Sequence, residues 1–266
     1  MNLALARRPA IVSVEPDEAF VTLQGVTKVF GHGKTAFTAL QDVSLEVARG
    51  EFLCILGASG CGKSTLLSMV AGLDKPTEGT IDIADGRPAV MFQDPGLLPW
   101  LTVRRNIELP MRIHKVSSAE RDKTVNRLLA MVGLTDFAES RPHQLSGGMR
   151  QRCALARSLA QESQLLLMDE PFAALDAITR DQLHDELDRV RARVGKPLTV
   201  LFVTHNVREA VRLGDRVVLL SSRPGRVIEE YQVPIERPRR MDTAPVAELA
   251  AEITGRLREE VGRHGS

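Results

Sequence analysis

Gly57-Ala58-Ser59-Gly60-Cys61-Gly62-Lys63-Ser64-Thr65 joins two segments of different period. Before it, Glu51-Phe52-Leu53-Cys54-Ile55-Leu56 is a short apolar run suited to a buried strand. After it, Leu66-Leu67-Ser68-Met69-Val70-Ala71 continues at helical spacing. A glycine turn between strand and helix lets successive N–H groups face one anion, and the helix N-terminus adds its partial positive charge. In the pattern Gly-x-x-x-x-Gly-Lys-Ser, Lys63 reaches the β- and γ-phosphates of a nucleotide and the Ser64 hydroxyl meets Mg²⁺. The stretch therefore reads as a phosphate cradle, against the plainer alternative of a tight turn.

The 266 residues around it leave room for one large domain or two modest ones. Hydrophobic residues at 43% and charged residues at 26% are ordinary globular values, and a net charge of +1 offers no field for nucleic acid, which is not expected as a partner. Cys54, Cys61 and Cys153 are odd in number and lack a Cys-x-x-Cys spacing, which argues against a disulfide framework or a zinc site and suits a reducing compartment. No signal-peptide core follows Arg7 and Arg8, and no apolar run reaches 18 residues, so the chain is not expected to span a membrane by itself.

Residues 1–18 read as a loose leader ending in Glu15, Asp17 and Glu18. Two β-like segments, Phe20 to Val29 and about Phe37 to Val47, flank Gly31-His32-Gly33-Lys34 and precede the cradle strand. Thr77-Glu78-Gly79-Thr80 is turn chemistry, and Thr80 to Ile83 and Pro88 to Phe92 are short strand candidates around Asp85-Gly86. Between Pro95 and Ala160 helical periods take over. A helix is expected over Val103 to Met111, and Ser117-x-x-Glu120 has capping-box form before Val125, Leu128, Leu129 and Val132. Residues 148–160 form a further helix.

Strands Leu165 to Asp169 and Leu198 to Thr204 then surround a helix of about Thr179 to Val194, and Arg216 to Leu220 and Arg226 to Val233 form a hairpin across Pro224-Gly225. Val246, Leu249, Ala250, Ile253, Leu257 and Val261 line one face of a terminal helix, expected to pack on the subunit itself rather than on a dimer partner or regulator.

Two further stretches carry chemistry. Leu165-Leu166-Leu167-Met168-Asp169-Glu170 is an apolar strand ending in two carboxylates, where a doubly wound sheet places ligands. Asp169 is expected to face Mg²⁺ and Glu170 to orient and deprotonate the water that attacks the γ-phosphate, the alternative being an acidic strand cap. Leu145-Ser146-Gly147-Gly148-Met149 precedes a helix, so Ser146 and the glycine N–H groups could bind a second anion or simply enter the helix. Cys61, in a nest of N–H groups beside Lys63, is expected to have a lowered thiol pKa and to be alkylated unless ATP protects it, against the alternative of a buried, inert thiol.

Taken in order from Phe20 to Tyr231, the set resembles the nucleotide-binding subunit of an ABC transporter, with Leu145 to Gly148 similar to that family's signature. The resemblance implies an α/β fold: a P-loop ATPase core with an N-terminal antiparallel β subdomain and an inserted α-helical signature subdomain. The domain would span 19–235, with the helical subdomain at about 95–160 and a C-terminal extension over 236–266. It implies a homodimer that sandwiches two ATP molecules. Each ATP would be held by Gly57, Ser59, Gly60, Cys61, Gly62, Lys63, Ser64 and Thr65 of one copy and by Ser146, Gly147 and Gly148 of the other.

Gln93 matches the Q-loop, linking Mg²⁺ and the attacking water to the permease. Ala174-Leu175-Asp176 matches the D-loop, and His205 matches the switch histidine at the γ-phosphate. Phe30 aligns with the aromatic that stacks on adenine, its alternative being a core phenylalanine. Met149 and Ala173 depart from the glutamine and serine often found at those positions.

Phe92-Gln93 with Leu97-Leu98-Pro99-Trp100, Glu170 to Ala177, and Ser222-Arg223-Pro224-Gly225-Arg226 look like the nitrate, sulfonate and taurine importer branch. Trp100 either lines the groove that docks a permease coupling helix or packs in the core. The leading expectation is an ATPase on the cytoplasmic face of the membrane, partnered by integral-membrane permease subunits and indirectly by a solute-binding protein. The alternatives are a soluble ABC-type ATPase in a non-transport complex and a P-loop kinase acting on a small molecule.

Overall fold

The computed structural model describes residues 19–173, 175–191 and 197–264. The expected leader at 1–18 and Ala174 of the expected D-loop lie outside the described residues. In chain order the first elements are β1 (Ala19–Phe30), β2 (Phe37–Ala48), β3 (Phe52–Leu56), α1 (Lys63–Val70), β4 (Glu78–Ile83) and β5 (Ala89–Met91). Then come α2 (Val103–Ile113), α3 (Ser118–Met131), α4 (Gly147–Leu159), β6 (Leu165–Asp169), α5 (Ala177–Arg191) and β7 (Thr199–Val203). The last are α6 (Val207–Leu213), β8 (Arg216–Leu220), β9 (Val227–Gln232) and α7 (Ala244–His264). The fold is α/β, with one antiparallel sheet and a second that is largely parallel. The chain divides into two compact units, one built from the part up to Ala84 together with the part from Val203 onward, the other from Asp85 to Phe202.

In the first unit, β1 pairs antiparallel with β2 on one side and β4 on the other, burying Val21, Leu23, Val26, Leu45 and Val47. The expected turn at Thr77–Thr80 is corrected here, because Glu78 and Gly79 belong to β4. Gly79 has φ +83° and lies against β1, where a Cβ would stand 2.4 Å from the Gln24 carbonyl oxygen. A glycine that looks like a turn signal in sequence is thus an irregularity inside a strand. β3 is buried at all five positions and pairs parallel with β8, which explains its unbroken apolar run. β8 and β9 form the expected antiparallel hairpin.

Arg216, 1% exposed at the start of β8, donates to Glu51 at 2.8 Å and to Glu230 at 2.7 Å, and also to the Glu46 carbonyl. α7 packs against α6, burying Val246, Ala250 and Ile253, with Leu249 and Leu257 half-buried; the side chain of Val261 lies outside the described residues. Arg239, in the strap before α7, donates to the Val211 and Gly214 carbonyls and so ties that strap to the end of α6.

In the second unit, β5 pairs parallel with β6, and β7 lies beside β6. The helices α2, α3 and α4 enclose a separate apolar cluster that includes Ile107, Leu128, Leu129, Val132 and Cys153. Ser117 caps α3, accepting the Glu120 N–H at 3.4 Å. Met149, which stands where glutamine is often found, is partly buried against this cluster, a physical reason for an apolar residue there. α5 is described only to Arg191, so the expected end at Val194 lies outside the described residues.

Candidate functional site

The cradle belongs to the first unit. β3 ends at Leu56, the chain turns through 57–62, and α1 begins at Lys63 with Gly62 as its N-cap. Gly62 has φ +99°, and a Cβ there would lie 2.7 Å from Leu40 Cδ2 and 2.9 Å from the Ala39 carbonyl oxygen, so only glycine fits. No side chain caps α1, and its first intrahelical bond runs from the Leu66 N–H to the Gly62 carbonyl at 2.8 Å. The N–H groups of Lys63, Ser64 and Thr65 therefore have no acceptor within the helix.

Lys63 is 5% exposed, yet its ammonium donates to the carbonyls of Gly57 at 2.9 Å and Ala58 at 3.0 Å. Among the described residues no carboxylate pairs with it. A buried cation held by two carbonyl dipoles and, at 3.9 Å, by the Cys61 thiol, with no carboxylate to neutralise it and with open N–H groups at a helix start beside it, attracts a multiply charged anion. The donor set fits a nucleotide's phosphates. Ser59 and Gly60 are exposed on the loop, and in the first turn of α1 Ser64 is exposed and Thr65 half-buried.

Cys61 is corrected. It is 1% exposed, and burial pushes its thiol pKa up, a larger effect than the opposing pull of the Lys63 charge. The expected reactive thiolate is absent; Cys61 is a buried wall of the loop.

Phe30, at the end of β1, is half-buried and not a core residue. Its ring stacks on Phe37 with centroids 5.6 Å apart, and the Lys28 ammonium lies 4.9 Å from its centroid. His205 is exposed in the short loop after β7. That loop is pinned on both sides: the Thr204 N–H donates to the Ile55 carbonyl at 3.2 Å, and the Thr204 hydroxyl donates to Glu209 while accepting the Asn206 N–H at 3.0 Å. The helix that carries Glu209, α6, was not expected from the sequence. Its signal is Asn206-x-x-Glu209, in which Asn206 caps the helix by accepting the Glu209 N–H at 3.3 Å.

The second unit carries the remaining residues. β6 delivers Asp169 and Glu170 half-buried at its end, and Glu170 has φ +43°. A non-glycine residue in the left-handed region stores backbone strain of the kind that gathers at functional positions. Ser146 caps α4 by accepting the Met149 N–H at 3.2 Å, which places Gly147 and Gly148 in the helix's first turn. Asp176 accepts both the N–H and the hydroxyl of Thr179, at 3.0 and 2.7 Å, and these bonds hold its carboxyl below the ordinary carboxylate range.

Gln93 is exposed after β5, and its carbonyl accepts from the Gln151 amide at 2.9 Å. Arg157 adds donors to the Pro95 and Gly96 carbonyls at 2.6 and 2.7 Å. Gln151 and Arg157, missed in the sequence, make α4 the support of the segment that carries Gln93. Trp100 is 67% exposed and Phe92 47%, which removes core packing as the role of Trp100.

A strand-to-helix loop that fits phosphates in one unit and, in the other, an acidic strand end and a glycine helix entry are the parts expected of a nucleotide-hydrolysing cassette. The chain belongs to the ABC transporter family, whose description matches residues 40–173, and it is an ATPase of that family that binds ATP. It is 42% identical over 255 residues to the aliphatic sulfonates import ATP-binding protein SsuB 1 of Mesorhizobium japonicum, covering 94% of this chain and 92% of the relative. It is 42% identical over 231 residues to the nitrate import ATP-binding protein NrtD of Synechococcus elongatus, covering 83% of each. The dimeric structure of a post-hydrolysis state of the ATP-binding cassette MJ0796 bound to ADP and Pi superposes with a TM-score of 0.73 at 35% identity, over 81% of this chain and all of that one. Among the described residues no helix is long and apolar enough to cross a membrane.

Proposed function

We propose that this chain is the energy-coupling ATPase subunit of an importer for a small anion of the nitrate or sulfonate kind. The observation that carries the ATP site is the buried Lys63 ammonium beside the uncapped start of α1. The choice of cargo class follows the names of the nitrate and sulfonate relatives. Lys63 and the N–H groups of 57–65 bind the phosphates, Phe30 stacks on adenine, Glu170 takes the proton of the attacking water, and His205 holds the γ-phosphate. Ser64, Gln93 and Asp169 would hold Mg²⁺, which screens phosphate charge when bound. Two copies close on two nucleotides, with Ser146, Gly147, Gly148 and Asp176 of each acting across the dimer.

The exposed Phe92, next to Gln93 in the chain, and the exposed Trp100 of the segment that follows suit a docking face for a permease, which would hold the subunit at the cytoplasmic face of the membrane. A solute-binding protein would then meet the permease from the other side. The nucleotide-binding domain is read as 19–235 with 236–266 appended.

The test isolates the protein from gently solubilised membranes with ATP and vanadate and identifies what co-purifies by mass spectrometry. A multi-span permease is expected; a soluble complex, or no partner, refutes the importer reading. In parallel, E170Q is expected to bind ATP while hydrolysing it about 10²-fold or more slowly than wild type. Hydrolysis by E170Q at the wild-type rate would remove Glu170 as the base.

A further inference from the structure

The stretch Ser222-Arg223-Pro224-Gly225-Arg226 has no part in the chemistry above, yet it lies against the cradle. It forms the turn between β8 and β9. Ser221, 6% exposed, closes that turn: its hydroxyl donates to the Pro224 carbonyl at 2.7 Å and accepts the Arg226 N–H at 2.9 Å. The turn is also spliced to β2, because the Gly225 N–H donates to the Ala39 carbonyl and the Gln41 N–H to the Gly225 carbonyl, both at 2.9 Å. Arg226 reinforces the splice by donating to the Gln41 side chain.

Two contacts reach the phosphate loop. Arg223 Nε donates to the Gly60 carbonyl at 2.7 Å. Gly225 lies so close to the next peptide that a Cβ there would stand 2.1 Å from the Cys61 carbonyl oxygen. On the other side of the loop, Gly62 is pressed on Ala39 and Leu40 of the same β2 segment. The loop is therefore gripped between β2 and the turn, with two successive carbonyls as the points of contact.

We propose that turn 221–226 is a brace that sets the direction of the cradle's N–H groups, with Arg223 and Gly225 as positioning residues. A trans peptide is planar, so its carbonyl and the following N–H point opposite ways. Holding the Gly60 carbonyl keeps the Cys61 N–H turned inward to the Ala58 carbonyl, to which it donates at 3.3 Å, and holding the Cys61 carbonyl sets the direction of the Gly62 N–H, in neither case with any contact to the nucleotide. A preformed nest binds phosphate more tightly because less ordering remains to be done on binding. The inference rests on reading 57–65 as the ATP phosphate site.

The side chain of Arg223 is exposed, so R223M removes the bond without opening a core. The expected result for full-length R223M is a KM for MgATP raised about threefold to tenfold with kcat within about twofold of wild type. Its melting temperature without nucleotide should stay within about 2 °C of wild type. R223K, which keeps a charged donor, should recover most of the affinity. A KM for R223M equal to that of wild type overturns the brace, as does a loss of kcat with KM unchanged. A wild-type chain that binds no MgATP overturns the phosphate-site reading itself, which separates the two failures.

Discussion

Replacing Arg157 by alanine tests how α4 holds the segment that carries Gln93. Arg157 donates to the Pro95 and Gly96 carbonyls at 2.6 and 2.7 Å, and burial pulls its guanidinium pKa below the ordinary value without discharging it. Two charged hydrogen bonds at about 1.5 kcal/mol each, the low end for a half-buried side chain, give about 3 kcal/mol. Freeing the side chain returns about 1–2 kcal/mol of rotamer entropy, leaving a net loss near 1.5 kcal/mol. Melting should fall by about 3–6 °C, read by circular dichroism and checked by urea unfolding.

Gln151 gives the contrast. It is 3% exposed and donates to the Gln93 carbonyl, but its own amide oxygen is buried without a partner. Q151M loses one neutral bond worth about 1 kcal/mol and relieves a buried acceptor worth about as much, so it should be nearly neutral in stability. If Q151M proves more destabilising than R157A, the reasoning that charge and paired geometry decide the strength of this support is wrong.

Arg216→Met should lower unfolding free energy by about 3–5 kcal/mol in urea titrations, because it leaves Glu51 and Glu230 buried without the guanidinium between them. Stability should also decline in alkali: burial pushes the Cys153 thiol up to about 12, so its contribution is intact below the unfolded thiol's pKa and drains away as pH rises toward 12. Between about pH 8 and pH 10 the loss from this one group is about 1.4 kcal/mol, and Cys153→Ala should show a correspondingly shallower decline in urea unfolding. Cys61, raised for the same reason, should react with iodoacetamide more slowly in the folded chain than in urea, with or without ATP.

The strands and long helices were legible wherever burial imposed a period. β3 and β6 read as unbroken apolar runs because both faces are covered, and Val125, Leu128, Leu129 and Val132 read as a helix because one stripe meets the cluster among α2, α3 and α4. α6 was not legible in this way. It has seven residues, five of them buried, including Glu209 and Arg212, so no polar face alternates with an apolar one. Its start is written in one capping side chain, Asn206. Gly79 misled for the opposite reason, since the residue type that marks turns also fills a close crossing of two strands.

The cradle could be read because each of its fixed positions has a local task, such as curvature at Gly62 or charge at Lys63. What supports the cradle and the Gln93 segment could not be read, because it acts through contacts remote in sequence. Arg223 reaches Gly60 across 163 positions and Gln151 reaches Gln93 across 58. Cys61 shows the same limit in energetic form. Sequence supplies the neighbouring lysine, which lowers a thiol's pKa, but only the packing supplies the desolvation, and desolvation is the larger effect. Residues that bind or react are therefore recognisable by type and spacing, whereas residues that hold them in place are recognisable only by what they touch.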